Sequence, residues 1–167
     1  ASDNSTIAVT FSKAVYNATG GSGALETSDF TLSISGGTAT LSSTTPSSIS
    51  ISGNVYTLGL SLSGTANGSE TITVVPSSST AIYDGADNAA STSQSNNTVS
   101  LNEKTAPTIS STTVASDNAT IAVTFSEAVY NTTGGSGALE TSDFTLSISG
   151  GTATLSSTTP SSISISG

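Results

Sequence analysis

Thr6-Ile7-Ala8-Val9-Thr10-Phe11-Ser12 sets Ile7, Val9 and Phe11 on one side of an extended chain and Thr6, Ala8, Thr10 and Ser12 on the other. Alternation with a period of two marks a half-buried β-strand. The same pattern returns at residues 120–126, inside a much longer repetition. Residues 1–53 recur as 115–167 at an offset of 114, and only Ser5/Ala119, Lys13/Glu127 and Ala18/Thr132 differ among the 53 aligned pairs. A period that long is one domain per repeat, because solenoid coils repeat every ~20–50 residues. The expected organisation is one repeat over residues 1–104, lacking its own first strand, and the N-terminal part of the next over 105–167. A stretch of 53 residues is short for burying a core of its own. The chain therefore reads as a window on a longer tandem array, completed by what adjoins it.

The strand signal continues outward from this stretch. Ala14 to Tyr16, Phe30 to Ile34, Thr38 to Leu41, Ile49 to Ile51, Val55 to Leu62, Glu70 to Val75 and Thr98 to Leu101 are apolar at alternate positions, and Ile109 to Val114 opens the next copy. A short helical turn is expected just before Phe30. The Gly20–Gly23 stretch reads as a flexible loop and residues 77–88 as a long connection. Hairpin turns are expected at Gly36-Gly37 and at Gly53-Asn54, since glycine supplies the positive φ that two-residue turns need. About seven short strands per period, with turns every 8–12 residues, predict an all-β, Ig-like antiparallel sandwich with Greek-key links. A small barrel is the second architecture that fits.

Composition narrows the chemistry. Ser and Thr make up 67 of 167 residues, which alone would suit a disordered stalk. The recurring Ile, Val, Leu, Phe and Tyr argue for a folded chain, and threonine itself suits a pleated surface. Net charge is −9, from 11 carboxylates against 2 lysines, so nothing is present to neutralise nucleic-acid phosphates or an anionic membrane surface. No apolar run reaches the length of a membrane span. There is no Cys, His, Trp or Arg, which removes disulfides, imidazole metal sites and the Ser-His and Cys-His nucleophile systems. The carboxylates Glu26, Asp29, Glu70, Asp84 and Asp87 lack the aromatic surroundings of a sugar-processing cleft, so no enzymatic activity is expected.

Calcium is the one ligand the loops suggest. Hard cations take clusters of carboxylate and carbonyl oxygens. Asp84-Gly85-Ala86-Asp87-Asn88 sets two carboxylates three residues apart beside a glycine. Asp3, and Asp117 in the second copy, lie in turns that a sandwich could bring to the same pole. Asp84, Asp87, Asn88, Asp3 and Asp117 are thus the candidate metal ligands. Against them stands the ordinary use of Asp and Asn as turn formers, and no run has EF-hand spacing. The aromatic residues, mostly in phase with strand interiors, are expected in the core.

Thr105-Ala106-Pro107-Thr108 opening a unit, Thr124-Phe125-Ser126-Glu127-Ala128-Val129, and the late Tyr83-Asp84-Gly85-Ala86-Asp87-Asn88-Ala89 together resemble the bacterial Ig-like tandem repeats of large surface adhesins, of the SwmB and Big types. The resemblance implies an extracellular, secreted protein of the bacterial cell surface that works in cell adhesion. Its repeats would form a stalk or filament projecting a distal binding region. Family members often place an aspartate before the Ala-Pro joint, where this chain has Glu103 and Lys104. Near-identical copies favour a mechanical spacer, because the same loops recur each time. The alternative is a multivalent adhesive module or a polymerising fibre subunit that itself binds surfaces or glycans. The partners expected are neighbouring identical repeats, with strand swapping between interchangeable copies.

Overall fold

A computed structural model describes residues 1–166. The chain divides into two compact units, Ala1–Thr105 and Ala106–Gly167. Ordered secondary structure is almost entirely strand, and all of the pairings described here are antiparallel.

The first unit carries ten short strands where the sequence suggested about seven. They are β1 (Thr6–Thr10), β2 (Val15–Tyr16), β3 (Phe30–Ser35), β4 (Thr40–Leu41), β5 (Ile49–Ser52), β6 (Val55–Gly59), β7 (Leu62–Ser63), β8 (Thr71–Pro76), β9 (Tyr83–Asp84) and β10 (Thr98–Ser100). Two three-stranded sheets run in the orders β1-β6-β5 and β10-β8-β3, with β2-β9 and β4-β7 as two-stranded pieces. Phe30 and Leu32 of β3, Tyr56 and Leu58 of β6, and Ile72 and Val74 of β8 are all buried in one cluster. Inward faces from both three-stranded sheets thus share a single core, the arrangement of a β-sandwich. Phe11 meets Tyr56 edge-on, with ring centroids 5.4 Å apart and planes at 86°, and Phe30 stands 6.3 Å from Tyr56.

Gly53-Asn54 makes the expected two-residue hairpin, with Ser52 opposite Val55. Gly36-Gly37 does not. Both glycines have positive φ, yet β3 pairs with β8 and β4 with β7, so the turn carries the chain off the sheet instead of folding it back. The run from Val55 to Leu62 also breaks, at residues 60–61, into β6 and β7, which pair with different partners. At the break, Gly59 exchanges backbone hydrogen bonds with Ser47 and Ser48, and a Cβ there would collide with both serine hydroxyls. Residues 77–88 are not a featureless connection either, since Tyr83 and Asp84 form β9 on Tyr16 and Val15.

Asn4 ties the N-terminal turn to the far end of the unit. It is buried at φ 61°, its amide donates to the Asn102 carbonyl at 2.7 Å, and its Oδ1 accepts from the Asn102 N–H at 2.8 Å. Asn4→Gly loses these bonds but keeps the backbone relaxed, whereas Asn4→Ala loses them and strains φ as well. We expect urea unfolding to place Asn4→Ala about 1 kcal/mol below Asn4→Gly, with both below the parent.

The second unit holds β11 (Ile109–Val114) and β12 (Ile121–Phe125), paired in a hairpin with Val114 opposite Ile121 and Thr112 opposite Val123. Its residues 144–149 match β3 in sequence but form no strand. Ile121, Tyr130, Ile148 and Ile165 are exposed, while Val123 and Phe125 are half-buried.

Candidate functional site

The acidic turn at Asp84 is the most organised polar cluster among the sequence-derived candidates. Val15 and Tyr16 hold β9 in place, and a tight turn follows in which the Asp87 N–H donates to the Asp84 carbonyl at 3.1 Å. Asp87 takes φ 66°, the left-handed conformation that Asp tolerates in turns. Asp84 is nearly buried. Its Oδ1 accepts from the N–H groups of Ala86 and Asn88, each at 2.9 Å, and the Asn88 amide reaches both carboxylate oxygens. Lys13 Nζ lies 3.0 Å from Oδ2. The Asn88 side chain first, then the Asn88 N–H and Lys13, hold this carboxyl well below the usual carboxylate range, against the opposing effect of burial.

These contacts bear directly on calcium. A cation needs several converging oxygens with free lone pairs. The oxygens of Asp84 already face four donors, one of them an ammonium. Asp87 is turned to the Gly20 N–H, and Asn88 offers Asp84 its amide nitrogen. Asp3 lies beyond the opposite end of β1 from Lys13 and Asp84, where its Oδ1 accepts from the N–H and hydroxyl of Ser5. The two acidic loops therefore do not meet at one pole, because the five residues of β1, spanning roughly 17 Å, separate them. Asp117 makes the matching turn in the second unit, to the Ala119 N–H. Among the described residues no group of three or more carboxylates converges. The donor set does not fit a calcium ion. We expect the melting temperature to be the same in millimolar calcium and in excess EDTA, as a scanning calorimeter would read it.

Lys13 occupies the position where the second copy has Glu127. In the first unit the counter-ion to Asp84 is thus part of the chain itself.

Sequence reasoning missed the most completely bonded carboxylate. Glu70 is fully buried, and its oxygens accept from the N–H groups of Thr38, Ala39, Asn67 and Gly68 at 2.7–3.2 Å. The Ala39 N–H, followed by those of Thr38 and Asn67, outweighs burial and holds this carboxyl at about 2. A signal was there to read. Glu70 stands in phase with Ile72 and Val74, the inward positions of β8. A carboxylate in core phase must find donors inside. The donors are the backbone of the Gly36-Gly37 turn and of the 67–68 loop, so Glu70 is the pin that joins two connections. A Cβ at Gly37 would run into the Glu70 carboxyl, which leaves no room for any other residue there.

Comparison with protein-family models, curated proteins and solved structures finds no match.

Proposed function

We propose that this chain is part of an Ig-like, Greek-key tandem repeat from a long extracellular bacterial adhesin or filament, without catalytic activity, that acts as a stalk projecting a distal binding region. The observation that carries this reading is the near-identity of the copies, with 50 of 53 aligned positions the same. A recognition surface that reads different partners needs different loops, whereas a spacer needs only copies that fold and pack alike. The disposition of the acidic groups supports it. Asp84 and Glu70 spend their oxygens on the chain's own donors and keep loops rigid. The free edges of β1 and of the second unit favour the polymerising-fibre reading as a second possibility.

A stalk predicts a length that grows linearly with repeat number. A strand of ten residues rises about 33 Å, so each added period should extend the particle by very roughly 40 Å. Small-angle X-ray scattering on chains of two, three and four periods measures the maximum dimension directly. Compact particles whose dimension does not rise in steps would overturn the stalk. Binding of a single period to a surface glycan would move the reading to the adhesive module.

A further inference from the structure

The edge of β1 lies open. This strand is bonded to β6 alone, and the Leu60 N–H to Ser5 O and Phe11 N–H to Asn54 O bonds put residues 5, 7, 9 and 11 on the β6 side. Antiparallel strands alternate their bonding direction, so Thr6, Ala8 and Thr10 present N–H and C=O groups outward. Alongside that edge runs a cleft of about 270 Å³ between β1 and β10, lined by Ile7, Val9 and Phe11 on one side and by Val99 and Leu101 on the other. No charged side chain lines it.

The second unit shows what such an edge binds. Residues 121–125 are identical to residues 7–11, and there they carry β11. Val114, Thr112 and Ile109 stand opposite Ile121, Val123 and Phe125, and directly opposed residues share a face. The turn that feeds the ladder is already formed in the first unit. The Ala1 amino group donates to Thr6 O at 3.0 Å, as the Ala115 N–H does to Thr120 O at 2.9 Å.

We propose that the cleft along β1 accepts β11 of a second copy of this chain, as an antiparallel strand with Val114, Thr112 and Ile109 opposite Ile7, Val9 and Phe11. The exchange replaces one ladder by another of the same sequence, so its backbone bonding is conserved. What changes is burial. In their own unit Ile109 is 57% and Val114 60% exposed, whereas the cleft offers them Val99, Leu101 and the floor of the first unit's core. Segment 109–114 is uncharged, as is the cleft, so the net charge of −9 opposes association only at long range and salt relieves it. Donor and acceptor lie in different units. Reciprocal exchange closes a dimer, and successive exchange builds an open chain. None of this requires an extracellular role.

The test is sedimentation velocity on the whole chain, from micromolar to submillimolar concentration at moderate salt. The parent should rise from the 16.2 kDa monomer to about twice that mass or more. Two variants separate the halves of the contact. Thr113→Pro removes an N–H that β11 needs for pairing and leaves the first unit untouched, so it can accept but not donate. A chain with residues 108–114 duplicated directly ahead of Ala1 fills its own cleft, so it can donate but not accept. Each alone should stay monomeric, and their mixture should stop at a heterodimer. A parent that is monomeric throughout overturns the proposal, even if the duplicated segment raises the melting temperature, since the cleft then takes the strand only when tethered. Variants that assemble as the parent does overturn it as well, because another surface would be responsible. Either failure leaves the linear-extension test of the stalk unaffected.

Discussion

Glu70→Gln lowers the melting temperature at neutral pH by about 10 °C or more, although the substitution changes neither size nor shape. Gln keeps one acceptor oxygen for Thr38 and Ala39, but its amide nitrogen must face the Asn67 and Gly68 N–H groups, donor against donor. The site is fully buried, so water cannot repair the mismatch. The turn at Gly36-Gly37 and the 67–68 loop lose their common anchor together.

The same carboxylate makes an acid signature. Its pKa is held at about 2 in the fold against an ordinary 4.5, so its contribution is fully present above 4.5 and is lost as the pH falls through 2. Asp84, lowered in the same direction, adds to the loss over the acid range. The parent should therefore lose stability steadily on acidification below pH ~5. Glu70→Gln should start lower and show a flatter acid limb. Thermal melts from neutral to strongly acid pH read both features. A variant curve that runs parallel to the parent's would show that Glu70 is not the group responsible.

The second large effect uses the repeat as its own control. Leu32 and Leu146 occupy the same position of the same sequence, Phe-Thr-Leu-Ser-Ile-Ser. Leu32 is 1% exposed in the core of the first unit, while Leu146 is only half-buried. Leu32→Ala should cost about 2–5 kcal/mol through lost transfer energy and the cavity left behind, a drop of roughly 10–25 °C for a domain this size. Leu146→Ala should leave the main unfolding transition in place to within about 2 °C, because a side chain that keeps much of its contact with water loses little on truncation. Urea titrations monitored by tyrosine fluorescence, which reads Tyr56 in the core, compare the two. Equal losses would mean that the second unit is packed as tightly as the first.

Much of the chain was legible without coordinates. Alternation located β1, β3, β6 and β8, and the Gly53-Asn54 hairpin came out as read, because these features rest on local spacing. The pairing of strands was less legible. The Gly36-Gly37 turn has the backbone of a hairpin, but Glu70, 33 residues further on, captures the amides beyond it and directs the chain elsewhere. The acidic loops looked like ligands because Asp and Asn serve turns and metals alike. Only the positions of Lys13, Asn88 and Gly20 tell which use is made of them.

The two copies separate what the sequence determines alone from what tertiary structure decides. Wherever hydrogen bonds close over a few residues, both copies agree. The turn closed by Asn4 on Ala1 recurs as Asn118 on Ala115, the 3-10 turn Thr27–Asp29 recurs as Thr141–Asp143, and the Leu32 N–H to Thr44 bond recurs as Leu146 to Thr158 at the same 2.7 Å. Wherever the bond needs a partner far along the chain, they differ. Residues 30–35 are a strand because β8 lies beside them, and residues 144–149 are none, with nothing in the described residues to pair with. Local geometry sets turns, since their donors and acceptors travel with the sequence. A β-strand is completed by another strand, and only the folded chain supplies it.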